Sequence, residues 1–258
     1  MNVHVISVAY GLPGDLRAMW DAVQSKHDLT WHLFLHSKIG AVMEVCGELA
    51  HRPQVIYHPY GKNRGLSKSI NEGLLAAFGA GADVVVNIAD DMLPSAGDFD
   101  RLVEFALDQK KEPIVTASAY HIRDKTVGPC EISFTAWNKG YSRKVGMLDE
   151  NLFPAYYEDT DYIHRVRLAG GTLPVLEDTD ILHKSSGNIY AHPALMQQNH
   201  TTFERNRAYY IRKWGGDRGS ERYDVPFDDE QFNLKIKAAD RHAPYSGHNR
   251  DDQDIVKV

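Results

Sequence analysis

In a chain of 258 residues, two stretches gather carboxylates at spacings that suit chemistry, and a third places a histidine where it could join them. The first is Asn87-Ile88-Ala89-Asp90-Asp91-Met92-Leu93-Pro94, two acids directly after an apolar run. Paired carboxylates at the end of a buried strand are costly unless a cation offsets them, and hard cations such as Mg2+ or Mn2+ prefer oxygen ligands. A solvated turn leading into the next helix is the plainer reading of the same residues. The second stretch is Tyr156-Tyr157-Glu158-Asp159-Thr160-Asp161-Tyr162. Acids in a first helical turn complement the positive end of the helix dipole, each contributing about 0.3–1 kcal/mol when exposed. Capping uses one or two of them, which leaves another to accept a proton from a substrate hydroxyl. The dipole also favours the charged carboxylate and so makes a weak base, suited to a hydroxyl that loses its proton late. The third stretch, Ile181-Leu182-His183-Lys184-Ser185-Ser186-Gly187, ends an apolar pair in a histidine; among 13 histidines, one alone reads most simply as a hydrogen-bonding residue.

These side chains need elements to hold them. Val3 to Val8 reads as a buried strand broken by Gly11-Leu12-Pro13-Gly14, and Asp15 then caps a helix with Leu16, Met19, Trp20 and Val23 on one face. The alternation continues through strands at 31–35, 54–57, 83–88 and 113–119 and helices near 39–49, 67–78 and 98–107. The run 83–88 is β-branched without polar alternation, as in a strand covered on both faces, and it leads into Asp90 and Asp91. Such alternation predicts an α/β fold with a mainly parallel, Rossmann-like sheet flanked by helices, whose ligands sit outside the carboxyl ends of the strands. Beyond about Gly128 the elements shorten and turn aromatic-rich, with one clear helix near 159–169 stopped by Gly170-Gly171. Residues 1–216 read as one domain, with a first half at 1–127 and a smaller subregion at 128–216. Residues 217–258 read as a polar extension whose ten acids and seven bases leave −3, half of the chain's −6, and the stretch from Arg241 reads as mobile.

Composition excludes several classes. The 43% hydrophobic and 25% charged fractions are those of a folding chain rather than a fibrous or disordered polymer. With 29 Lys and Arg against 35 Asp and Glu there is no global basic field, so non-specific nucleic-acid binding is disfavoured. Arg205, Arg207, Arg212 and Lys213 could still make a local basic face, and such a run on one helix is more often solvated or set against lipid phosphate. Cys46 and Cys130 have no framework spacing and read as free thiols in a reducing compartment. No apolar stretch reaches the roughly 18 residues needed to span a bilayer, and no basic leader precedes the first apolar run. A cytoplasmic location is expected, with peripheral membrane contact left open.

Order and spacing give the three stretches a joint meaning. Over nearly its whole length the chain resembles the family 2-like bacterial glycosyltransferases of the GT-A fold. The resemblance is carried by Asn63-Arg64-Gly65-Leu66 with Asn71-Glu72-Gly73-Leu74, by the acids before Pro94, and by Gly146-Met147-Leu148-Asp149-Glu150-Asn151-Leu152-Phe153 leading into Glu158-Asp159-Thr160-Asp161. Arg165 with Ala169-Gly170-Gly171, His183, and Asn206 through Lys213-Trp214-Gly215-Gly216 to Pro226-Phe227 complete it.

The resemblance implies a single GT-A domain and a metal-dependent inverting transfer of sugar from a nucleotide-diphospho-sugar, a UDP-sugar among the candidates, to an acceptor hydroxyl. It implies that Asp91 ends the DxD motif and ligates Mn2+ or Mg2+, with Asp90 near the ribose or a metal-bound water and His183 as a later metal ligand. Asp159 takes the place of the catalytic base, Glu158 stands beside it, and Asp161 orients the helix start or the acceptor. Ala9 and Tyr10 lie where the nucleotide base is cradled, and Asn63 and Arg64 where a basic side chain approaches the diphosphate. Two departures stand out: Ala89 replaces the first acid of DxD, and Leu35-His36-Ser37 replaces the Asp that many members set against uracil, which leaves His36 or Ser37 to substitute. Trp137, Tyr156 and Tyr157 are candidates for stacking on sugar rings, and Ser185 to His200 for a loop that closes over the donor. The acceptor could be a polysaccharide intermediate, a lipid-linked sugar, a protein or a modified base. Two other readings remain: a degenerate member that binds without turnover, and a nucleotidyltransferase, which Gly11-Leu12-Pro13-Gly14 fits poorly for want of a basic residue.

Overall fold

The first strand, β1 (Asn2–Ala9), is buried along most of its length because Val3, Val5, Ile6 and Ala9 meet helices on both sides. In this computed structural model, which describes residues 1–187 and 193–228, β1 pairs in parallel with β2 (Asp28–Leu35) on one side and β4 (Val84–Ile88) on the other. Beyond β2 lies β3 (Val55–His58), also parallel. The connecting helices are α1 (Pro13–Ala22), α2 (Gly40–Ala50) and α3 (Leu66–Gly79). Each lies within a few residues of the span its apolar spacing predicts. Asp15 stands in the first turn of α1 rather than at its cap, because Pro13 starts the helix.

The second half departs from simple alternation. After the two-residue β5 (Met92–Leu93) and α4 (Asp98–Asp108), β6 (Ile114–His121) runs on into a hairpin with β7 (Thr126–Pro129). The next strand, β8 (Phe134–Asn138), inserts antiparallel between β4 and β6, so the parallel run is interrupted there. After a short α5 (Tyr141–Lys144) and α6 (Glu158–Leu168), two more short strands, β9 (Val175–Leu176) and β10 (Leu182–His183), pair in parallel with β6. The main path reads β3-β2-β1-β4-β8-β6-β10-β5. The last helix, α7 (Pro193–Trp214), begins well before Asn206, so 193–200 is helix and not part of a closing loop; 188–192 lie outside the described residues.

Two apolar layers sandwich the sheet. On one face α1, α2 and α4 bury Leu16, Val42 and Leu102 against Val5, Leu33 and Val86. On the other α3 and α6 bury Ile70, Leu74, Tyr162 and Val166 against Ile6, Phe34 and Val85. Helix α3 reaches that close because Gly73 has no side chain: a Cβ there would lie 2.6 Å from Ile6 Cδ1. Trp137 is fully buried in this second layer against Tyr141 and Tyr162, which removes it as a sugar platform. Residues 217–228 pack back onto the domain, whereas the stretch read as mobile, from Arg241, lies outside the described residues. Among the described residues no helix is long and apolar enough to cross a membrane.

A column of histidines crosses β1, β2 and β3 on the α3 side. His4 Nδ1 lies 2.9 Å from His32 Nε2, and the His32 and His58 rings stack at 5.8 Å. His32 Nδ1 and His58 Nε2 are buried without a hydrogen-bond partner. Burial first, then the neighbouring His4 and His58, pushes His32 from 6.5 down to about 4. The unfolded chain therefore takes up a proton that the folded one refuses, so stability is complete above about pH 6.5 and falls as pH drops toward 4, by roughly 3 kcal/mol for this residue. Urea unfolding across that range should show the slope, and His32→Gln, neutral at every pH, should make it shallower, with the buried His4 and His58 supplying part of the remainder; equal slopes in both proteins would refute the assignment.

Candidate active site

The carboxyl ends of β1 and β4 meet where the sequence places its first pair of acids. Asp90 is buried and accepts the Tyr10 N–H at 3.3 Å, beside Ala9 at the end of β1. Asp91 is also buried; its Oδ2 accepts the Gly187 N–H at 3.2 Å and its Oδ1 lies 3.6 Å from His183 Nε2. Burial opposes its charge, yet His183 and the Gly187 N–H hold its carboxyl below the ordinary range. Asp91 and His183 thus stand together although 92 positions separate them, because β10 pairs with β5 in a register that sets His183 beside Met92.

That register also brings in His121, which the sequence reading missed. It pairs with His183 across β6 and β10, and the two Nδ1 atoms lie 3.1 Å apart, so one must donate to the other. When the proton is on His183 Nδ1, the Nε2 lone pair is free for a cation set between it and Asp91. One carboxylate oxygen and one imidazole nitrogen suit Mn2+ or a similar ion. Among the described residues no third His, Cys, Asp or Glu completes a metal-holding set. The neighbouring row, Leu93, Leu182, Tyr120 and Val127, lies on the opposite face of these strands, with Val127 73% exposed.

A second corner is built at the start of α6. Tyr156 and Tyr157 both adopt left-handed backbone, φ 74° and 70°, which costs such residues about 1–3 kcal/mol each and persists only where surroundings impose it. Asn206 of α7 imposes it, donating from Nδ2 to the Ala155 and Tyr156 carbonyls at 2.9 and 3.1 Å, while Arg205 donates to the Phe153 carbonyl. Phe203 packs its ring against both tyrosines. Asp159 is half-buried, its Oδ1 accepting the Thr160 N–H at 2.6 Å. Glu158 is buried, and its Oε2 has no partner. Burial, then the charge of Asp159, raises its carboxyl well above the usual range. The two corners touch through Tyr156, whose hydroxyl lies 2.7 Å from Ser186 Oγ, next to the Gly187 that bonds Asp91.

Glu131, in the β7–β8 connection, also goes unmarked in the sequence. Its carboxyl meets that of Asp159 within hydrogen-bond reach, and Arg218 Nη2 lies 2.5 Å from its Oε1. Burial first, then Asp159, raises Glu131 to about 7.

Other expected site residues are committed to neighbours. His36 is buried with Nε2 2.7 Å from Ser69 Oγ. Asn63 Oδ1 accepts the Gly65 N–H at 2.9 Å. Arg64 lies over the Tyr60 ring at 3.8 Å and donates to Glu72 at 3.2 Å. Asp161 is fully buried, with Arg165 Nε at 2.9 Å, Lys213 Nζ at 2.5 Å and Trp214 Nε1 at 2.8 Å, a setting that fixes α6 against α7 rather than presenting Asp161 to a substrate. The expected basic face on α7 is dispersed in the same way: Lys213 is buried, Arg205 bonds a carbonyl, Arg207 pairs with Asp217 and Arg212 stacks near Tyr209.

Lys213 also reaches Asp149 at 2.7 Å, so Lys213→Met would leave the buried Asp149 without its cation and Asp161 with one, Arg165, in place of two. Breaking such a pair on one side costs about 3–5 kcal/mol. Chemical denaturation should register a loss of that size; a change below about 1 kcal/mol would contradict it.

No protein-family profile matches the sequence, and no curated protein does. Solved structures do match. The 1–349 portion of S. aureus TarS superposes with a TM-score of 0.56 at 11% identity, covering 83% of this chain and 74% of that one. In complex with UDP-GlcNAc the same protein matches at 9% identity and TM-score 0.56 over 93% and 77%. The mannosyltransferase PcManGT from Pyrobaculum calidifontis, in complex with GDP-Man and Mn2+, matches at 13% and TM-score 0.56 over 81% of this chain and 64% of that one. Against a longer TarS structure the chain spans 43% of its length. The architecture is therefore that of GT-A glycosyltransferases: a single mixed α/β domain around a curled, mainly parallel sheet flanked by helices.

Proposed function

We propose that the chain, carrying this fold, is a family 2-like, metal-dependent inverting glycosyltransferase that moves a sugar from a nucleotide-diphospho-sugar to an acceptor hydroxyl. The observation that carries the reading is the joining of two corners, Asp91 with His183 and Glu158 with Asp159, through the Tyr156–Ser186 and Gly187–Asp91 contacts. A sugar nucleotide laid across that join would set its diphosphate at one corner and its anomeric carbon toward the other.

Mn2+ or Mg2+ held by Asp91 and His183 would supply Lewis-acid neutralisation of the departing diphosphate, where negative charge grows. His121 would keep the His183 ring oriented and its Nε2 lone pair directed at the site. Asp159, half-buried beside the left-handed tyrosines, accepts the hydroxyl proton as that oxygen bonds the anomeric carbon from the side opposite the diphosphate. One displacement of this kind inverts the centre. Tyr156 and Tyr157 supply ring faces at the entrance, and their hydroxyls are tied to Ser186 and Asp217, which holds the rings in place. Ala9, Tyr10 and Asp90 would line the nucleoside's resting place, with His36, just past the end of β2, and Ser69 of α3 behind them. UDP and GDP donors are both represented among structures of this fold, so a UDP-sugar is the first donor to try. The acceptor class that fits is a glycan or lipid-linked sugar.

Ala89 favours one competing reading, a protein that binds sugar nucleotide without turning it over, since the first acid of the motif is missing. The two separate in one experiment. With Mn2+ present, a panel of sugar nucleotides should include one that is slowly hydrolysed, and Asp159→Asn should lower that turnover at least 100-fold while leaving donor binding intact. His121→Ala should weaken the Mn2+ requirement curve by roughly 10–100-fold in metal concentration. Binding of a donor with no turnover by the wild type would select the non-enzyme reading, and undiminished turnover by Asp159→Asn would remove Asp159 as base.

A further inference from the structure

Glu131 has the hallmarks of a residue held in place at a cost. Its backbone is left-handed, φ 49°, in a side chain class that rarely adopts that region. Two threonine hydroxyls clamp it there: Thr116 Oγ1 donates to the Glu131 carbonyl at 2.9 Å, and Thr135 Oγ1 donates to the same oxygen. The connection is further pinned by Cys130 N–H to the Ala117 carbonyl at 2.8 Å. The carboxyl faces Asp159, with Arg218 reaching back from beyond α7 to its Oε1. Among the described residues the titratable groups around it are Asp159, Glu158, Arg218 and the buried Cys130 thiol, with Tyr210 beside Arg218.

A neutral Glu131 carboxyl can donate to the facing Asp159, whereas two facing negative charges repel, and among the described residues Arg218 is the cation set against Glu131. We propose that Glu131 is the positioning residue of Asp159: the Glu131 carboxyl donates its hydrogen to an Asp159 oxygen and so keeps Asp159 turned toward the acceptor, while Arg218 holds Glu131 Oε1. This rests on the reading of Asp159 as base. During transfer the hydroxyl proton passes to Asp159 and Glu131 keeps its own. Loss of the Glu131 proton replaces a hydrogen bond by a repulsion, so the site works below the pair's titration near 7 and falters above it.

The assignment is tested on the full chain in two ways. Carboxyl-carbon NMR should find Glu131 titrating near 7 in the wild type and at least about one unit lower in Asp159→Asn, which lacks the facing charge. Turnover of UDP-GlcNAc with Mn2+ should fall as pH rises through 7. Glu131→Ala should lower kcat about tenfold or more with little change in KM. Glu131→Gln, whose amide donates at every pH, should recover most of that loss and remove the fall above 7. A Glu131 that titrates in the ordinary carboxylate range, or a Glu131→Gln profile that still falls at 7, overturns the proposal. A wild type that turns over no sugar nucleotide while Glu131 titrates near 7 overturns the transferase reading instead and leaves the proton-sharing pair standing.

Discussion

The site depends on one buried cation. Lys213 is fully enclosed and lies between Asp149 and Asp161, themselves fully buried. Asp149 belongs to the segment that leads into α6, Asp161 to the first turn of α6, and Lys213 to the last turn of α7. A charge in that position is tolerable because both carboxylates beside it are met by further donors: Asn151 and Tyr209 serve Asp149, Arg165 and Trp214 serve Asp161. The network fixes the angle at which α6 leaves its strained tyrosines, and with it the direction of Glu158 and Asp159.

Around that anchor the two corners are tuned in opposite senses. At Asp91 a histidine and a backbone N–H outweigh burial and favour the charged form, as befits a carboxylate that would meet a cation. At Glu131 and Glu158 burial and a facing acid favour the neutral form.

Much of this architecture is legible in the sequence because it rests on local periodicity. The helices α1 to α4 and the strands β1 to β4 announce themselves through apolar spacing and Gly or Pro breaks, and the acids after Val84–Ile88 stand at the strand end that α/β folds use. What stayed hidden is what long-range pairing decides. β8 is five residues long and fully buried, with no alternation to mark it, and it turns the sheet mixed. His121 gains its meaning from a partner 62 residues away, and Glu131 from Arg218, 87 away. Asp161 looks like its neighbours on paper; burial and a lysine on another helix give it a different task.

The strand that delivers His183 is two residues long, and its outward and inward positions alternate between an aliphatic and an imidazole side chain. Parity, more than identity, thus assigns the chemistry: a shift of β10 by one position against β6 would turn Leu182 toward Asp91 and send His183 out beside Tyr120 and Val127. The ladder guarding against that slip is short, the β6 and β5 pairings on either side and the Lys184 N–H to the Asp91 carbonyl at 3.2 Å. A single-residue change in the length of the 177–181 approach, if it shifted that register, would exchange an imidazole for an aliphatic side chain beside Asp91 without replacing either.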